Sequence, residues 1–75
     1  MNGITLFNMG SNRYRVTDNA TGFSIVFTAG DFSGAQEVAM PPADRIPEGV
    51  DLATYAATAM RHIGDYMATQ HPELI

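Results

Sequence analysis

The segment from Asp51 to Gln70 has the longest helical pattern in the chain and most restricts the folds available to it. Its apolar residues recur at steps of three and four, which places them on one stripe of an α-helix. They are Leu52, Tyr55, Ala56, Ala59, Ile63, Tyr66 and Met67. Asp51 has the residue type and position of an N-cap, and Pro72 ends the helix because it disfavours helical backbone angles at His71. We therefore expect one helix over residues 51–70 with the stripe buried.

Three short segments before this helix alternate between apolar and polar residues, which is the two-residue period of β-strands. They are residues 4–8, 13–17 and 23–28, and two turns rich in Gly, Asn and Asp separate them. Phe23, Ile25 and Phe27 form the apolar face of the third segment. Short turns favour antiparallel neighbours. The sequence therefore predicts an α+β fold, a three-stranded antiparallel β-meander packed against one long C-terminal α-helix.

The connection over residues 29–50 has only weak periodicity and reads as an irregular acidic segment. Loops of this length without structure are uncommon in compact domains, so part of it should be ordered. Residues 37–40, which Pro41 stops, have the composition of a fourth, edge strand, and Phe32 has the character of a core residue. We expect the remainder to run extended over the surface of a single domain of 75 residues.

The length of the helix predicts which of its turns is exposed. Nineteen residues span about 28 Å, whereas strands of five or six residues span about 17–20 Å. Unless the helix crosses the sheet diagonally, we expect its last turn to project past the sheet, which would expose part of Tyr66, Met67 and His71.

Composition narrows the class of protein. With 45% hydrophobic and 16% charged residues, the chain is too apolar for a disordered segment and too charged for a membrane span. It has no cysteine, which excludes disulfides, thiolate metal sites and cysteine nucleophiles. Its first residues lack the basic region and the long apolar run of a signal peptide. We therefore expect a cytoplasmic protein.

No set of residues has the spacing of a catalytic or metal site. His62 and Asp65 lie three apart on the helix, but two ligands without a third are a weak signal, and Arg61 with Asp65 fits an ordinary ion pair on a solvated face. The Asn19-Ala20-Thr21 acceptor pattern for glycosylation is explained by a hairpin turn. We expect no enzyme activity, no cofactor and no bound metal.

The net charge of −4 is concentrated in one segment. Residues 31–51 hold five acidic residues against Arg45, namely Asp31, Glu37, Asp44, Glu48 and Asp51. An acidic surface repels phosphate backbones, so direct nucleic-acid binding is disfavoured. We expect this segment to be the principal contact for a protein partner with a basic surface, such as a nucleic-acid-binding groove. The alternative is that these carboxylates only keep the protein soluble.

Two further surfaces are candidates for contacts. Arg13 and Arg15 project side by side from one strand, either as a solvated face or as a patch that binds carboxylates. On the helix, a ridge of small residues lies beside the buried stripe, formed by Ala53, Ala57, Gly64 and Ala68. A glycine inside a helix costs about 1 kcal/mol relative to alanine. We expect Gly64 either to lie under a core aromatic ring or to serve a helix–helix contact in a homodimer.

No motif ties the chain to a named family, so function is inferred by class. Short, acidic, cysteine-free domains without catalytic groups are common among phage and mobile-element accessory proteins, including anti-CRISPR and other anti-defence inhibitors. We therefore expect a small interaction protein that binds and blocks a partner protein. The alternative is a structural or virion-type assembly component that uses its edge strand and helix for repeated contacts.

Overall fold

The computed structural model describes residues 3–34 and 37–75. Four strands form one antiparallel sheet in the order β1-β2-β3-β4, and one helix, α1, follows them. The strands are Ile4–Gly10 (β1), Arg13–Asp18 (β2), Ser24–Thr28 (β3) and Glu37–Ala39 (β4), and α1 spans Leu52–Gln70. The predicted α+β fold is confirmed, in its four-stranded form. Among the described residues, no helix combines the length and the apolarity that a membrane span requires.

Two tight turns bring consecutive strands into antiparallel pairs. Ser11 and Asn12 both have positive φ angles, 55° and 66°, as a two-residue type I′ hairpin requires. In the second turn the backbone N–H of Gly22 donates to the Asp18 carbonyl at 2.7 Å. Gly22 has a φ of +87°, and a Cβ atom there would lie 2.8 Å from Pro41. Glycine therefore permits both the turn and the close approach of the connection.

The core lies between the inner face of the sheet and α1. Its buried side chains come from three strands and the helix, and they are Ile4, Val16, Ile25, Phe27, Ile63 and Met67. Phe27 stacks on Tyr14, with ring centroids 5.9 Å apart, and meets the edge of Phe32 at 5.0 Å. Phe23 is buried as well. The predicted inward face of the third strand and the predicted core position of Phe32 are both confirmed.

The predicted ends of α1 are also confirmed. The Asp51 carboxylate accepts hydrogen bonds from the Thr54 backbone N–H at 3.0 Å and from its hydroxyl at 2.9 Å. At the other end, the His71 N–H donates to the Met67 carbonyl at 3.0 Å. The helix is therefore closed at both ends by the residues that the sequence indicated.

The predicted exposure of the last turn of α1 is wrong for Met67, whereas Tyr66 and His71 are half-buried. Met67 is fully buried, whereas Leu52 at the opposite end is 42% exposed. The reason is the short 3₁₀ turn Pro72–Leu74, in which the Leu74 carbonyl accepts a hydrogen bond from the Gly30 N–H at 2.8 Å. This bond holds the segment after α1 at the end of β3 and keeps the last turn of the helix against the sheet.

The connection over residues 29–50 is more ordered than the irregular segment that the sequence predicted. It contains a 3₁₀ turn at Phe32–Gly34, strand β4 and a second 3₁₀ turn at Ala43–Arg45. Pro41 is buried, and the Arg45 guanidinium donates to the Asn19 carbonyl at 3.1 Å. These contacts replace the extended surface course expected there. Residues 35 and 36 of the segment lie outside the described residues.

Candidate functional site

The candidate site is the face of the sheet that points away from α1. The strand register aligns one residue from each strand in a single row across the sheet, in the order Phe7, Arg15, Val26 and Glu37. Directly opposed residues in antiparallel pairs lie on the same face, and the core residues of α1 pack on the other one. Arg13, two residues before Arg15, belongs to the same face. We call these five residues the sheet face.

Exposure is uneven across the sheet face. Phe7 is 58% exposed, and the exposed Arg15 makes no hydrogen bond or ion pair with the described residues. Val26 is only 4% exposed, because it lies between two neighbours, Arg15 and Glu37, with long side chains. Ser24, which the strand alternation places on the same side of the sheet, is buried as well. The accessible part of this face is therefore an aromatic ring beside a guanidinium.

Arg13 connects the arginine-bearing face of β2 with the acidic segment over residues 31–51, which the sequence presents as separate surfaces. Its guanidinium lies 4.0 Å from the Glu37 carboxylate, and both side chains are partly exposed. Such surface pairs contribute about 0–1 kcal/mol, so the pair adds little to stability. The Arg13 Nε atom, in contrast, is buried and donates to no acceptor in the described part of the chain. Because this donor is buried, it is not presented at the surface of the sheet face.

The predicted acidic contact residues do not form one surface. Asp31 lies at the end of β3, where its N–H donates to the Thr28 carbonyl at 2.9 Å. Asp44 precedes Arg45, which binds the Asn19 carbonyl in the turn before β3. Five strand residues span about 17 Å, so Asp31 and Asp44 lie at opposite ends of the sheet.

The remaining acidic residues have different surroundings. Glu37 belongs to the sheet face, and Asp51 is the N-cap of α1. Asp44 and Glu48 are exposed, and neither carboxylate has an ion pair within the described residues. We call Asp44 and Glu48 the acidic end.

One cluster of polar side chains was missed by the sequence analysis. Asp18 is 1% exposed, and its Oδ2 accepts a hydrogen bond from the Thr21 hydroxyl at 2.7 Å and lies 3.3 Å from Nδ1 of His62. The alternation of β2, with Tyr14 and Val16 inward, was the available signal that Asp18 also points inward. His62 therefore contacts a buried carboxylate and does not lie on a purely solvated helix face.

The chemistry of this cluster is limited by its composition. Its carboxylate accepts from a hydroxyl and orients one imidazole nitrogen, which joins α1 to the turn between β2 and β3. No ion pair between Arg61 and Asp65 is present in the described residues. Within residues 3–34 and 37–75, there is also no pocket and no group of three or more His, Asp or Glu side chains placed around a possible metal ion.

The small-residue ridge of α1 is open. Ala53, Ala57 and Ala68 are exposed, and a Cβ atom built on Gly64 has no neighbour within 4 Å. The expectation that a core aromatic ring covers Gly64 is therefore wrong. Packing within the described chain does not require glycine at this position.

Comparison of the chain with known protein families, with curated proteins and with solved structures found no match.

Proposed function

We propose that this protein acts without catalysis, by binding a partner protein through the sheet face and blocking the surface that it covers. The single observation that carries this proposal is the row of Phe7 and Arg15 on the open side of a sheet whose other side packs on α1. The ring is 58% exposed, and such apolar surface is costly to leave in water. The neighbouring Arg15 guanidinium is exposed and has no partner among the described residues, so it can bind one.

The residue types of the sheet face are those that dominate protein interfaces. Aromatic residues and arginine are enriched in the desolvated centre of interfaces, where a few of them supply most of the binding energy. The guanidinium fork of Arg15 matches a carboxylate. The partner should therefore present carboxylates around an apolar recess that accepts Phe7.

The local charge also favours binding of the partner through the sheet face. Arg13, Arg15 and Glu37 give this face a formal charge of +1, on a protein whose net charge is −4. An acidic partner surface is attracted to this face and repelled by the acidic end. Contact through Asp44 and Glu48 would instead require a basic target. The sheet face and the acidic end would therefore bind partners of opposite charge.

Small size, acidity and the absence of cysteine support placing the protein among inhibitory accessory proteins of the phage and mobile-element type, including anti-CRISPR and other anti-defence inhibitors. A structural or assembly component is the second candidate, and the uncharged edge strand β1 favours it. The two candidates differ in what they bind. An inhibitor binds a host protein in stoichiometric amount, whereas an assembly component binds copies of itself or other structural proteins.

Affinity capture from an extract of the natural host tests the proposal. Three forms would be compared: the wild type, the sheet-face variant Phe7→Ser with Arg15→Glu, and the acidic-end variant Asp44→Lys with Glu48→Lys. We expect one protein to be retained by the wild type and by the acidic-end variant, and lost by the sheet-face variant. Retention by a folded sheet-face variant, or the absence of any stoichiometric protein on the wild type, would contradict the proposal.

A further inference from the structure

The two edges of the sheet differ in how well they are protected against pairing with an additional strand. β4 has only three residues, one of them Glu37, and Pro41 follows it closely, so it offers little to an additional strand. β1 has seven residues without charge or proline. It pairs with β2 on one side, and no strand among the described residues pairs with its other side. Long, uncharged edge strands are the sites at which sheets pair with further strands.

The backbone groups that β1 presents to this open side follow from its pairing with β2. The Asn19 N–H donates to the Gly3 carbonyl at 2.6 Å, so Gly3 directs its carbonyl towards β2. In an antiparallel ladder this direction alternates, and Thr5 and Phe7 therefore direct their groups the same way. Leu6 and Asn8 direct theirs to the open edge. The bulge lies between Asn8 and Gly10, which leaves the preceding residues in regular register.

We propose that a second copy of this chain pairs with β1, antiparallel and about a two-fold axis at Phe7, so that two sheets join into one of eight strands. In this register Phe7 lies opposite Phe7 of the second copy, and Leu6 and Asn8 of one copy exchange hydrogen bonds with Asn8 and Leu6 of the other. The two rings form a cross-strand aromatic pair on the outer side of the sheet. A shift of one residue would put the strand's inner side chains outside.

Charge does not oppose a second copy at this edge. Two copies with a net charge of −4 each repel one another, but residues 3–12 contain no charged side chain. The Arg15 residues of the two copies would be three strand spacings apart, about 14 Å, which exceeds the screening length of about 8 Å at physiological salt.

The antiparallel direction also keeps the acidic ends apart. The Asn19 end of the sheet, which contacts the acidic segment through Arg45, lies at the start of β1. In the proposed dimer the start of each β1 lies beside the end of the other, where the Ser11–Asn12 turn leads into Arg13. The dimer therefore avoids close contact between like charges. It goes beyond the partner binding proposed above and would place two sheet faces side by side.

Sedimentation at high micromolar concentration tests this pairing with a matched pair of variants. Asn8→Pro removes a backbone N–H that points to the open edge, and Asn8→Ala removes the same side chain, whose carbonyl oxygen accepts from the Gly10 N–H at 2.9 Å, but keeps the backbone donor. We expect the wild type and Asn8→Ala to sediment as dimers and Asn8→Pro as a folded monomer. Gly64→Leu on the helix ridge should leave the dimer unchanged.

A cross-linking experiment keeps the test decisive if Asn8→Pro does not fold. The chain has no cysteine, and Cα atoms directly opposite in a non-hydrogen-bonded pair lie about 4.5 Å apart, within disulfide range. Phe7→Cys should therefore form a covalent dimer under mild oxidation, and Arg15→Cys on the same face should not. A monomeric wild type, equal cross-linking of both variants, or loss of association by Gly64→Leu would overturn the proposed pairing.

Discussion

Among single residues, Asp18 has the most constrained environment. A carboxylate that is 1% exposed needs hydrogen-bond donors, because burial of an unpaired charge is expensive. Thr21 supplies one donor at 2.7 Å, and His62 lies close enough to supply another from the helix. These three side chains connect a turn of the sheet with α1, so the stability of the fold should depend on them.

Replacing Thr21 with valine tests this dependence. Thr21→Val keeps the shape of the side chain but removes the hydroxyl donor from a buried carboxylate, which costs about 1–3 kcal/mol. We expect a lower midpoint of urea denaturation. Thr69→Val, at an exposed position of α1, is the matched control and should leave the midpoint within experimental error. Equal midpoints for both variants would show that the hydrogen bond to Asp18 contributes nothing.

Glu73 provides a prediction about pH. Its pKa is lowered from the ordinary value, first by a hydrogen bond from its own backbone N–H and second by a hydrogen bond with His71. A lowered folded-state pKa means that the stabilisation is present above the ordinary pKa of Glu73 and is lost as the pH falls through the lowered one. An NMR titration should show this lowered pKa, and His71→Ala should raise it only part of the way. A Glu73 pKa at its ordinary value would contradict the assignment.

The sequence could have placed Asp18 but not its partners. The alternation of β2 puts Asp18 on the same face as Tyr14 and Val16, and that pattern is local. Contact with His62, 44 residues away in sequence, depends on how α1 lies across the sheet. No local pattern carries that information, which explains why the buried cluster was missed.

At the scale of elements, the ends of α1 follow from local chemistry and its position does not. Asp51 and Pro72 act on their immediate neighbours, so both ends could be predicted. The burial of Met67 in the last turn depends on the hydrogen bond between Gly30 and Leu74, which joins distant parts of the chain. The same distinction applies to β3, whose outer residue Val26 is buried by residues from β2 and β4.

The N-cap provides the prediction at this scale. Asp51→Ala removes an acceptor that serves both the backbone N–H and the hydroxyl of Thr54, and loss of such a cap costs about 1 kcal/mol. We expect a lower free energy of unfolding in chemical denaturation. Asp44→Ala removes an exposed carboxylate of the same segment and should change stability much less. Equal effects would mean that Asp51 acts as part of a general acidic field and not as a cap.

At the scale of the whole molecule, charges that lie close together in the sequence are separated by the fold and lie on several different surfaces. Five acidic residues within residues 31–51 are distributed among the sheet face, the helix cap, the end of β3 and the acidic end. The two arginines of β2, in contrast, remain on one face and gain Phe7 from the neighbouring strand. A count of charges along the sequence could not reveal this arrangement, because strand pairing decides which residues are neighbours.

Our central claim is that the sheet face, and not the acidic end, binds the partner. The most direct test is the dissociation constant of the captured partner protein for the wild type and for two variants, measured by calorimetry. We predict that Arg15→Glu weakens binding about 30-fold or more, as expected for the loss of a central contact of about 2 kcal/mol, and that Asp44→Lys with Glu48→Lys changes it less than about 3-fold. Unchanged affinity of a folded Arg15→Glu variant, together with strong loss in the acidic-end variant, would contradict the claim.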